Sequence, residues 1–289
     1  MGARFLGLLL ALAWLVGCQD DAAVRRASEH LVAVDQPRIE ALVQEDLEKH
    51  QAGVVKAAQK LAPGFAVEDP RKREKQMRAA LRILQQPKKG IDEFVASPMS
   101  FLAALDVNGI VVARDREPDR MKGQDYGARF EVVREALAGN AATGLGEFFA
   151  EDPNAPSSWS LLFAAPAMRE GKVVGAVVVG IPLWRLAQRL SRQLRVEQAG
   201  ESPPWVYLYK GDRVFHWDTP PQIDALIPAP EQRAKVLAAS SSGYTDKVIL
   251  QGNPEVYGVF PLPLLGPNLG TIIFRTPGSL RTPTSPTIP

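Results

Sequence analysis

Cysteine and histidine are scarce in this sequence. Cysteine occurs once, as Cys18, and histidine occurs three times among 289 residues. A zinc site built from Cys and His side chains needs about four such ligands close together, so we expect none. A single cysteine also excludes a disulfide bond within the chain. We therefore expect no metal site and no other cofactor.

An excess of one charge is missing as well. The sequence has 34 Lys and Arg residues against 32 Asp and Glu residues, which leaves a formal net charge of +2. This balance gives no general attraction for polyanions. Nucleic acid is therefore not an expected partner.

Sequence patterns of enzyme active sites are weak or incomplete. The Gly144-Leu145-Gly146 segment does not reach the third glycine of a dinucleotide-binding loop. The Ser240-Ser241-Ser242-Gly243 segment lacks the leading Gly-x-Ser of a nucleophile elbow. We expect no catalytic residues, and hence a protein that is not an enzyme.

Long uncharged apolar runs are absent except near the amino end. Phe5 to Val16 contains twelve uncharged residues. As a helix this run would rise about 18 Å, which is short of the roughly 30 Å hydrocarbon core of a bilayer. A run of this length suits a secretory signal better than a membrane span. It leads into Leu15-Val16-Gly17-Cys18, and the polar residues Gln19-Asp20-Asp21 follow at once.

The Leu15-Val16-Gly17-Cys18 segment resembles the lipobox of bacterial lipoproteins. The resemblance implies cleavage before Cys18, a diacylglycerol on its thiol and an acyl chain such as palmitate on the new amino terminus. Together these lipids would anchor the chain stably to a membrane. Residues 1–17 would be a lipoprotein signal peptide, and the mature chain would face the periplasm, with Gln19 favouring the outer over the inner membrane. The alternative is that Cys18 is a buried residue at the end of a short apolar helix.

Residues 18–98 are expected to form a helical stalk and further helices. Apolar residues recur at steps of three and four from Ala22 to Leu61. Pro37 predicts a kink or a restart of this helix. The apolar stripe before Pro37, which includes Leu31, would have no lobe to cover it. We expect it to pair with a second copy of the chain or with an envelope protein; the alternative is a frayed linker.

The pattern changes from helix to strand after Pro98. Two apolar segments, Phe101–Leu105 and Ile110–Ala113, are joined by Asp106-Val107-Asn108-Gly109. They predict a β-hairpin, because Asn and Gly tolerate a positive φ. A helix from Arg129 to Ala138 is predicted next, followed by three strands and a closing helix.

Three segments within residues 99–196 together resemble a Cache domain, the extracytoplasmic relative of the PAS fold. They are Leu105-Asp106-x-Asn108-Gly109-x-Val111, Gly123-x-Asp125 and Gly171-x-Val173-Val174-Gly175-x-Val177-Val178-Val179-Gly180-Ile181. Residues 203–276 repeat the pattern on a smaller scale, as in a double Cache protein, and residues 277–289 predict a disordered tail. The resemblance implies an α+β fold, with a long N-terminal helix followed by two PAS-like lobes. Each lobe would be an antiparallel sheet with flanking helices.

The resemblance also implies a ligand site between the sheet and the loops of the first lobe. An Arg side chain there could bind a carboxylate, and a Trp could cover an apolar or cationic group. The candidate ligand-binding residues are Arg114, Tyr126, Arg129, Trp159 and Phe163. For each of them the alternative is a packing role or a solvated position. The Arg-x-Trp-aromatic signature of the amino-acid-binding members of the family is absent.

These features together predict a lipid-anchored sensor or small-molecule-binding protein of the cell envelope. No segment predicts a cytoplasmic output domain, so we expect it to signal through a separate partner protein. The alternative is a structural or scaffolding envelope lipoprotein without a functional ligand pocket.

Overall fold

The computed structural model of the protein describes residues 21–95, 99–149, 157–199, 204–217 and 219–278. The predicted signal peptide, Cys18 and most of the predicted tail lie outside the described residues. Within the described ranges, no helix is both long and apolar enough to cross a membrane.

The first half of the described chain begins with helices and then forms a sheet. Helix α1 covers residues 21–61, and a 3₁₀ turn covers Ala62–Ala66. The elements that follow are α2 (Pro70–Leu84), α3 (Asp92–Val95), β1 (Phe101–Leu105), β2 (Val111–Arg114), α4 (Tyr126–Arg129), α5 (Glu131–Leu137), β3 (Ala142–Phe148), β4 (Ser158–Arg169) and β5 (Lys172–Pro182).

The second half repeats the order of two strands, two helices and three strands, but a single helix precedes its first strand. Its elements are α6 (Leu183–Glu197), β6 (Trp205–Lys210), β7 (Arg213–Phe215), α7 (Pro221–Asp224), α8 (Pro230–Ala239), β8 (Tyr244–Leu250), β9 (Asn253–Pro261), a 3₁₀ turn (Pro263–Leu265) and β10 (Leu269–Arg275).

Both sheets are antiparallel and share one topology. The first sheet has the strand order β2-β1-β5-β4-β3, and the second has β7-β6-β10-β9-β8. Counting the strands of each sheet from its own first strand makes the two orders identical. The predicted α+β fold, a long N-terminal helix and two antiparallel sheets with flanking helices, is confirmed.

The described residues divide into two compact units. We call the unit of residues 42–186 and 264–266 the first lobe, and the unit of residues 21–41, 187–263 and 267–278 the second lobe. The first lobe contains the first sheet, and the second lobe contains the second sheet.

The two faces of the first sheet bury different neighbours. Side chains alternate between the faces along a strand. Leu162 and Ala164 of β4 pack in one cluster with Phe130 and with residues of α5. Phe163, between them, points to the other face and stacks on His50 of α1, with ring centroids 5.2 Å apart. Because both faces are covered, the central strands are apolar without interruption.

Helix α1 continues through Pro37 and does not restart there. A π-helical turn covers Leu31–Asp35, and the Gln36 N–H bonds to the Leu31 carbonyl five residues back. Such a turn is wider than an ordinary helical turn. In a regular α-helix the Pro37 ring would meet the carbonyl four residues earlier, and the wider turn directly before it relieves this clash.

The apolar stripe before Pro37 is largely covered, so the prediction of an uncovered stalk is wrong for it. Ala27 and Leu31 are fully buried, and the π-helical turn packs on β9 within the second lobe. Val32 and Val34 stay exposed. The apolar spacing indicated that this segment packs against another part of the protein. The element that buries it is a strand more than 200 residues later in the sequence.

The second lobe contains a buried ion pair between α1 and β10. Arg275 donates from Nε to Asp35 Oδ2 at 2.9 Å and from Nη2 to Asp35 Oδ1 at 2.8 Å. Both side chains are fully buried. Gln198 donates to Asp35 Oδ1 at 2.7 Å and accepts a hydrogen bond from Arg275. The guanidinium and the carboxylate therefore satisfy each other away from water.

The hairpin turn between β1 and β2 packs closely against the start of α4. Asp106 Oδ1 accepts the backbone N–H of Asn108 at 2.9 Å, and Gly109 has a φ of 81°. The Gly109 carbonyl accepts the N–H groups of Tyr126 and Gly127 at 2.9 and 3.2 Å. The predicted hairpin is confirmed, and its turn also fixes where α4 begins.

We expect Gly109→Ala to lower the free energy of unfolding by about 2–5 kcal/mol. A left-handed backbone costs an L-residue about 1–2 kcal/mol, and forcing a new methyl group into a packed site costs about 1–3 kcal/mol more. The added Cβ would lie 2.5 Å from Gly127 Cα. Urea denaturation measures the loss.

Gly171→Ala is the matched control for this prediction. Gly171 also has a positive φ, 77°, but no atom lies within 4 Å of an added Cβ. Gly171→Ala should lower the free energy of unfolding by only about 1–2 kcal/mol, which is the cost of the left-handed backbone. Equal losses in the two variants would show that the contact between the turn and α4 contributes nothing.

Candidate ligand site

Tyr126 is a candidate residue that the structure buries completely in the first lobe. Asp125 caps α4 by accepting the Ala128 N–H at 2.8 Å. The single helix predicted over residues 129–138 is wrong, because Phe130 has extended backbone, with φ −121° and ψ 125°, and separates α4 from α5. This break turns the rings of Tyr126 and Phe130 toward the first sheet.

Four aromatic rings fill the layer between the first sheet and helices α4 and α5. The Phe148 ring centroid lies 5.6 Å from that of Phe101, 6.0 Å from Tyr126 and 5.1 Å from Phe130. Tyr126 and Phe130 meet edge to face at 4.9 Å. Gly146 of β3 leaves room for these rings, since a Cβ there would lie 2.9 Å from the Phe130 ring. Phe148 is only half-buried, whereas the other three rings are buried.

The Tyr126 hydroxyl is buried and has no hydrogen-bond partner among the described residues. Burial raises the pKa of Tyr126 to about 12, although the positive charges of Arg129 and Arg114 act in the opposite direction. The hydroxyl is therefore protonated at neutral pH. An unsatisfied buried donor costs about 1–3 kcal/mol. The hydroxyl therefore has unused hydrogen-bonding capacity inside the first lobe.

Arg114 is held near this hydroxyl by the loop after β2. Asp119 Oδ2 accepts the backbone N–H of Arg114 at 2.9 Å, and Arg78 of α2 donates to the same carboxylate oxygen at 3.3 Å. Within the described part of the chain the Arg114 Nε atom is buried without a hydrogen-bond partner, and Asp115 Oδ1 lies 3.8 Å from it. Asp119 thus positions Arg114, and no sequence motif marked it for that role.

Arg129 lies exposed at the edge of the aromatic layer. Its guanidinium carbon is 5.0 Å from the ring centroid of Phe130, 5.3 Å from that of Phe148 and 5.2 Å from that of Phe149. It also donates a hydrogen bond to the Glu147 carbonyl, which connects α4 to β3. Exposed cation–π contacts are worth about 0.5–1 kcal/mol each.

Trp159 and Phe163 lie on the opposite face of the first sheet from Tyr126. They alternate along β4 with Leu162, which faces the aromatic layer. Phe163 is fully buried against His50, and Trp159 is half-buried. The structure therefore brings the other three candidate residues together and separates them from these two.

No protein-family model matches the sequence, and no curated protein matches it. Solved structures do resemble the protein. One is the sensory domain of the Campylobacter jejuni chemoreceptor Tlp3 with isoleucine bound, at 10% sequence identity and a TM-score of 0.54. The alignment covers 89% of this chain and 96% of that domain.

Two further structures come from other bacteria. The sensor domain of the V. cholerae histidine kinase DctB aligns over 89% of this chain and 98% of its own, with a TM-score of 0.52 and 13% identity. The ligand-binding domain of the Pseudomonas aeruginosa PAO1 amino-acid chemoreceptor PctB, in complex with L-Arg, covers 86% and 96%, with a TM-score of 0.50 and 19% identity. The chain has the fold of these sensor domains. The Cache-like fold predicted from the sequence is confirmed.

Proposed function

We propose that the protein is a sensor of the cell envelope that binds a small molecule in its first lobe. It performs no catalysis and passes its signal to a separate partner protein. The observation that carries the proposal is the buried Tyr126 hydroxyl, which has no hydrogen-bond partner among the described residues. The fold supports the proposal, because the Tlp3 and PctB domains hold isoleucine and L-Arg in their structures.

In the proposed complex, the polar group of the ligand bonds to the Tyr126 hydroxyl and lies near Arg114 and Arg129. The apolar part of the ligand takes the place of the Phe148 ring, which is half-buried at the end of β3. Arg129 then loses its cation–π contact with the Phe148 ring. Two guanidinium groups near one buried hydroxyl favour a ligand with an anionic group.

We expect Tyr126→Phe to abolish ligand binding without destabilising the protein. The substitution removes an unsatisfied buried hydroxyl, so the free energy of unfolding should stay the same or rise by up to about 1–2 kcal/mol. Thermal melting of the full chain in a nonionic detergent, with a library of metabolites, identifies compounds that raise the Tm of the parent protein. These compounds should not raise the Tm of Tyr126→Phe.

Tyr207→Phe is the matched control for Tyr126→Phe. It removes a hydroxyl of the second lobe that does have a partner, Asp224 Oδ1 at 2.8 Å. This variant should lose about 1 kcal/mol of stability and keep the ligand response. A compound that stabilises the parent protein and Tyr126→Phe equally would contradict the proposed site.

We also propose that the mature chain begins at Cys18, carries lipid there and faces the periplasm from the outer membrane. Cys18 lies outside the described residues, and the proposal depends on the lipobox-like segment Leu15-Val16-Gly17-Cys18. The division of the sequence into residues 18–98, 99–196, 203–276 and 277–289 stays a prediction.

We expect Cys18→Ser to leave an unprocessed or soluble precursor, because serine cannot form the thioether. The measurement is phase partition in a nonionic detergent together with the length of the protein on a gel. A band of mature length in the detergent phase would show that Cys18 is not the anchor.

A structural or scaffolding lipoprotein is the second candidate function. The observation in its favour is that the rings of Phe101, Tyr126, Phe130 and Phe148 already fill the layer in which the ligand would lie. In this case no metabolite would raise the Tm through the first lobe, and the protein would copurify with an envelope partner instead.

A further inference from the structure

The second lobe has a cavity of about 580 Å³ between the first turns of α8 and the end of its sheet. This volume lies within the range of small-molecule sites, about 300–1,000 Å³. The apolar part of its lining consists of Tyr209, Pro230, Ala234, Leu237, Pro261 and Leu269. Its polar lining includes Arg233 and Asn268.

Arg233 brings a buried positive charge to this cavity. The residue is only 3% exposed, and its guanidinium lies 5.2 Å from the Tyr209 ring centroid. It donates to three backbone carbonyls: from Nη1 to Pro228 at 2.6 Å, and from Nη2 to Gly211 at 2.9 Å and Asp212 at 3.3 Å. Its Nε atom is buried and has no acceptor among the described residues.

The charge of Arg233 has no carboxylate partner in the part of the chain that the structure describes. Burial lowers the pKa of Arg233, while Tyr209, Tyr244 and the more weakly acting Asp212 and Glu231 raise it. Both of these carboxylates belong to exposed residues. Arg275, the fully buried arginine of the same lobe, is by contrast neutralised by Asp35. Backbone carbonyls satisfy hydrogen bonds but carry no net charge, so Arg233 remains an uncompensated buried cation.

The start of α8 adds a second attraction for an anion. This helix of ten residues begins at Pro230, and no side chain caps its amino end. The unbonded N–H groups of a helix start carry a partial positive charge. Pro230 and Glu231 both line the cavity, so the helix start and Arg233 act on the same space.

We propose that this cavity binds a small organic monocarboxylate, independently of the first-lobe site. The carboxylate accepts a hydrogen bond from a backbone N–H at the start of α8 and lies beside the Arg233 side chain, so that it compensates the charge of the buried guanidinium. The apolar body of the ligand lies against Leu237, Pro261 and Leu269. The exposed Glu231 at the rim disfavours molecules with a second negative charge.

Isothermal titration calorimetry on the full chain in nonionic detergent tests the proposal with three acids and their uncharged amides. The pairs are butyrate with butyramide, valerate with valeramide, and benzoate with benzamide. We expect at least one acid to bind, and its amide to bind at least about tenfold more weakly, since a charge-assisted hydrogen bond is lost. No binding of any acid, or equal binding of acid and amide, would overturn the proposal.

Four variants locate the binding. Arg233→Gln should weaken the acid at least about tenfold, while Lys235→Gln, which removes an exposed positive charge from the same helix, should not. Ala234→Trp fills the cavity from an exposed position and leaves the hydrogen bonds of Arg233 in place. We expect this variant to lose binding of the acid. It tests the site even if Arg233→Gln does not fold. Unchanged binding in Ala234→Trp would overturn the proposal. Binding should persist in Tyr126→Phe, which separates this site from the first-lobe site.

Discussion

Asp35→Asn is expected to lower the free energy of unfolding by about 3–5 kcal/mol. Asp35 and Arg275 are fully buried and joined by two hydrogen bonds of 2.9 and 2.8 Å. Removing the carboxylate charge leaves the guanidinium of Arg275 without compensation in a dry environment, where an unpaired charge is most costly. Urea denaturation followed by circular dichroism measures the loss.

Two further variants distinguish the effect of an unpaired buried charge from the general effect of a substitution. Glu197→Gln breaks a partly exposed pair with Arg38 and should cost no more than about 1 kcal/mol. The double variant Asp35→Leu with Arg275→Met replaces the pair by apolar side chains and should recover most of the loss. A double variant as unstable as the sum of its two single variants would contradict this explanation.

The same pair predicts how stability depends on pH. Burial by itself raises the pKa of Asp35, but the His30 ring, with Nδ1 3.4 Å from Oδ2, the hydrogen bonds from Arg275 and Gln198 and the charge of Arg275 outweigh it, so the pKa lies below its usual value. The contribution of this carboxylate to the free energy of unfolding is therefore fully present above the unfolded-state pKa of about 3.9. It is lost as the pH falls through the folded-state pKa. The stability difference between the parent protein and Asp35→Asn should shrink below about pH 4. A stability difference between the two proteins that stays constant down to about pH 2 would contradict this prediction.

Phe163→Ala is expected to lower the free energy of unfolding by about 3–5 kcal/mol and to leave ligand binding in the first lobe unchanged. Phe163 is fully buried and stacks on His50 with an interplanar angle of 26°. Its truncation leaves a cavity between β4 and α1, on the face of the sheet opposite Tyr126. Urea denaturation and metabolite titration of the same variant report the two effects separately.

Phe149→Ala is the control for the loss of an aromatic ring. Phe149 is 71% exposed, so its truncation should change stability by less than about 0.5 kcal/mol. If Phe163→Ala stayed stable and lost binding of the first-lobe ligand, Phe163 would belong to the ligand site after all.

The turns and strands of the first lobe were predictable because their signals are local. The Asn108-Gly109 pair predicted the hairpin turn, and the Val-rich run after Gly171 predicted a buried strand, which the structure has at Lys172–Pro182. A turn needs a positive φ at one or two positions, and a strand needs a few residues with side chains that pack on a pleated surface. A short stretch of sequence contains all of this information.

The candidate site was predictable only in part. The sequence singled out Arg114, Tyr126 and Arg129, which the structure brings together, but also Trp159 and Phe163, which it does not. Strand alternation shows that neighbouring residues face opposite ways, yet the face that α4 and α5 cover depends on how the chain crosses the sheet. That crossing is a property of the whole lobe.

The sequence by itself determined most of the helices, turns and strands, although not the break at Phe130, because backbone preference and apolar spacing act between residues a few positions apart. Only the tertiary structure decided which groups meet. Asp35 binds Arg275 at a separation of 240 residues, and Leu31 is buried in the second lobe. The Arg233 guanidinium lies buried without a carboxylate partner among the described residues. The free energy of a charge or an apolar side chain depends on the groups within a few ångströms of it, and in this chain those groups come from distant segments.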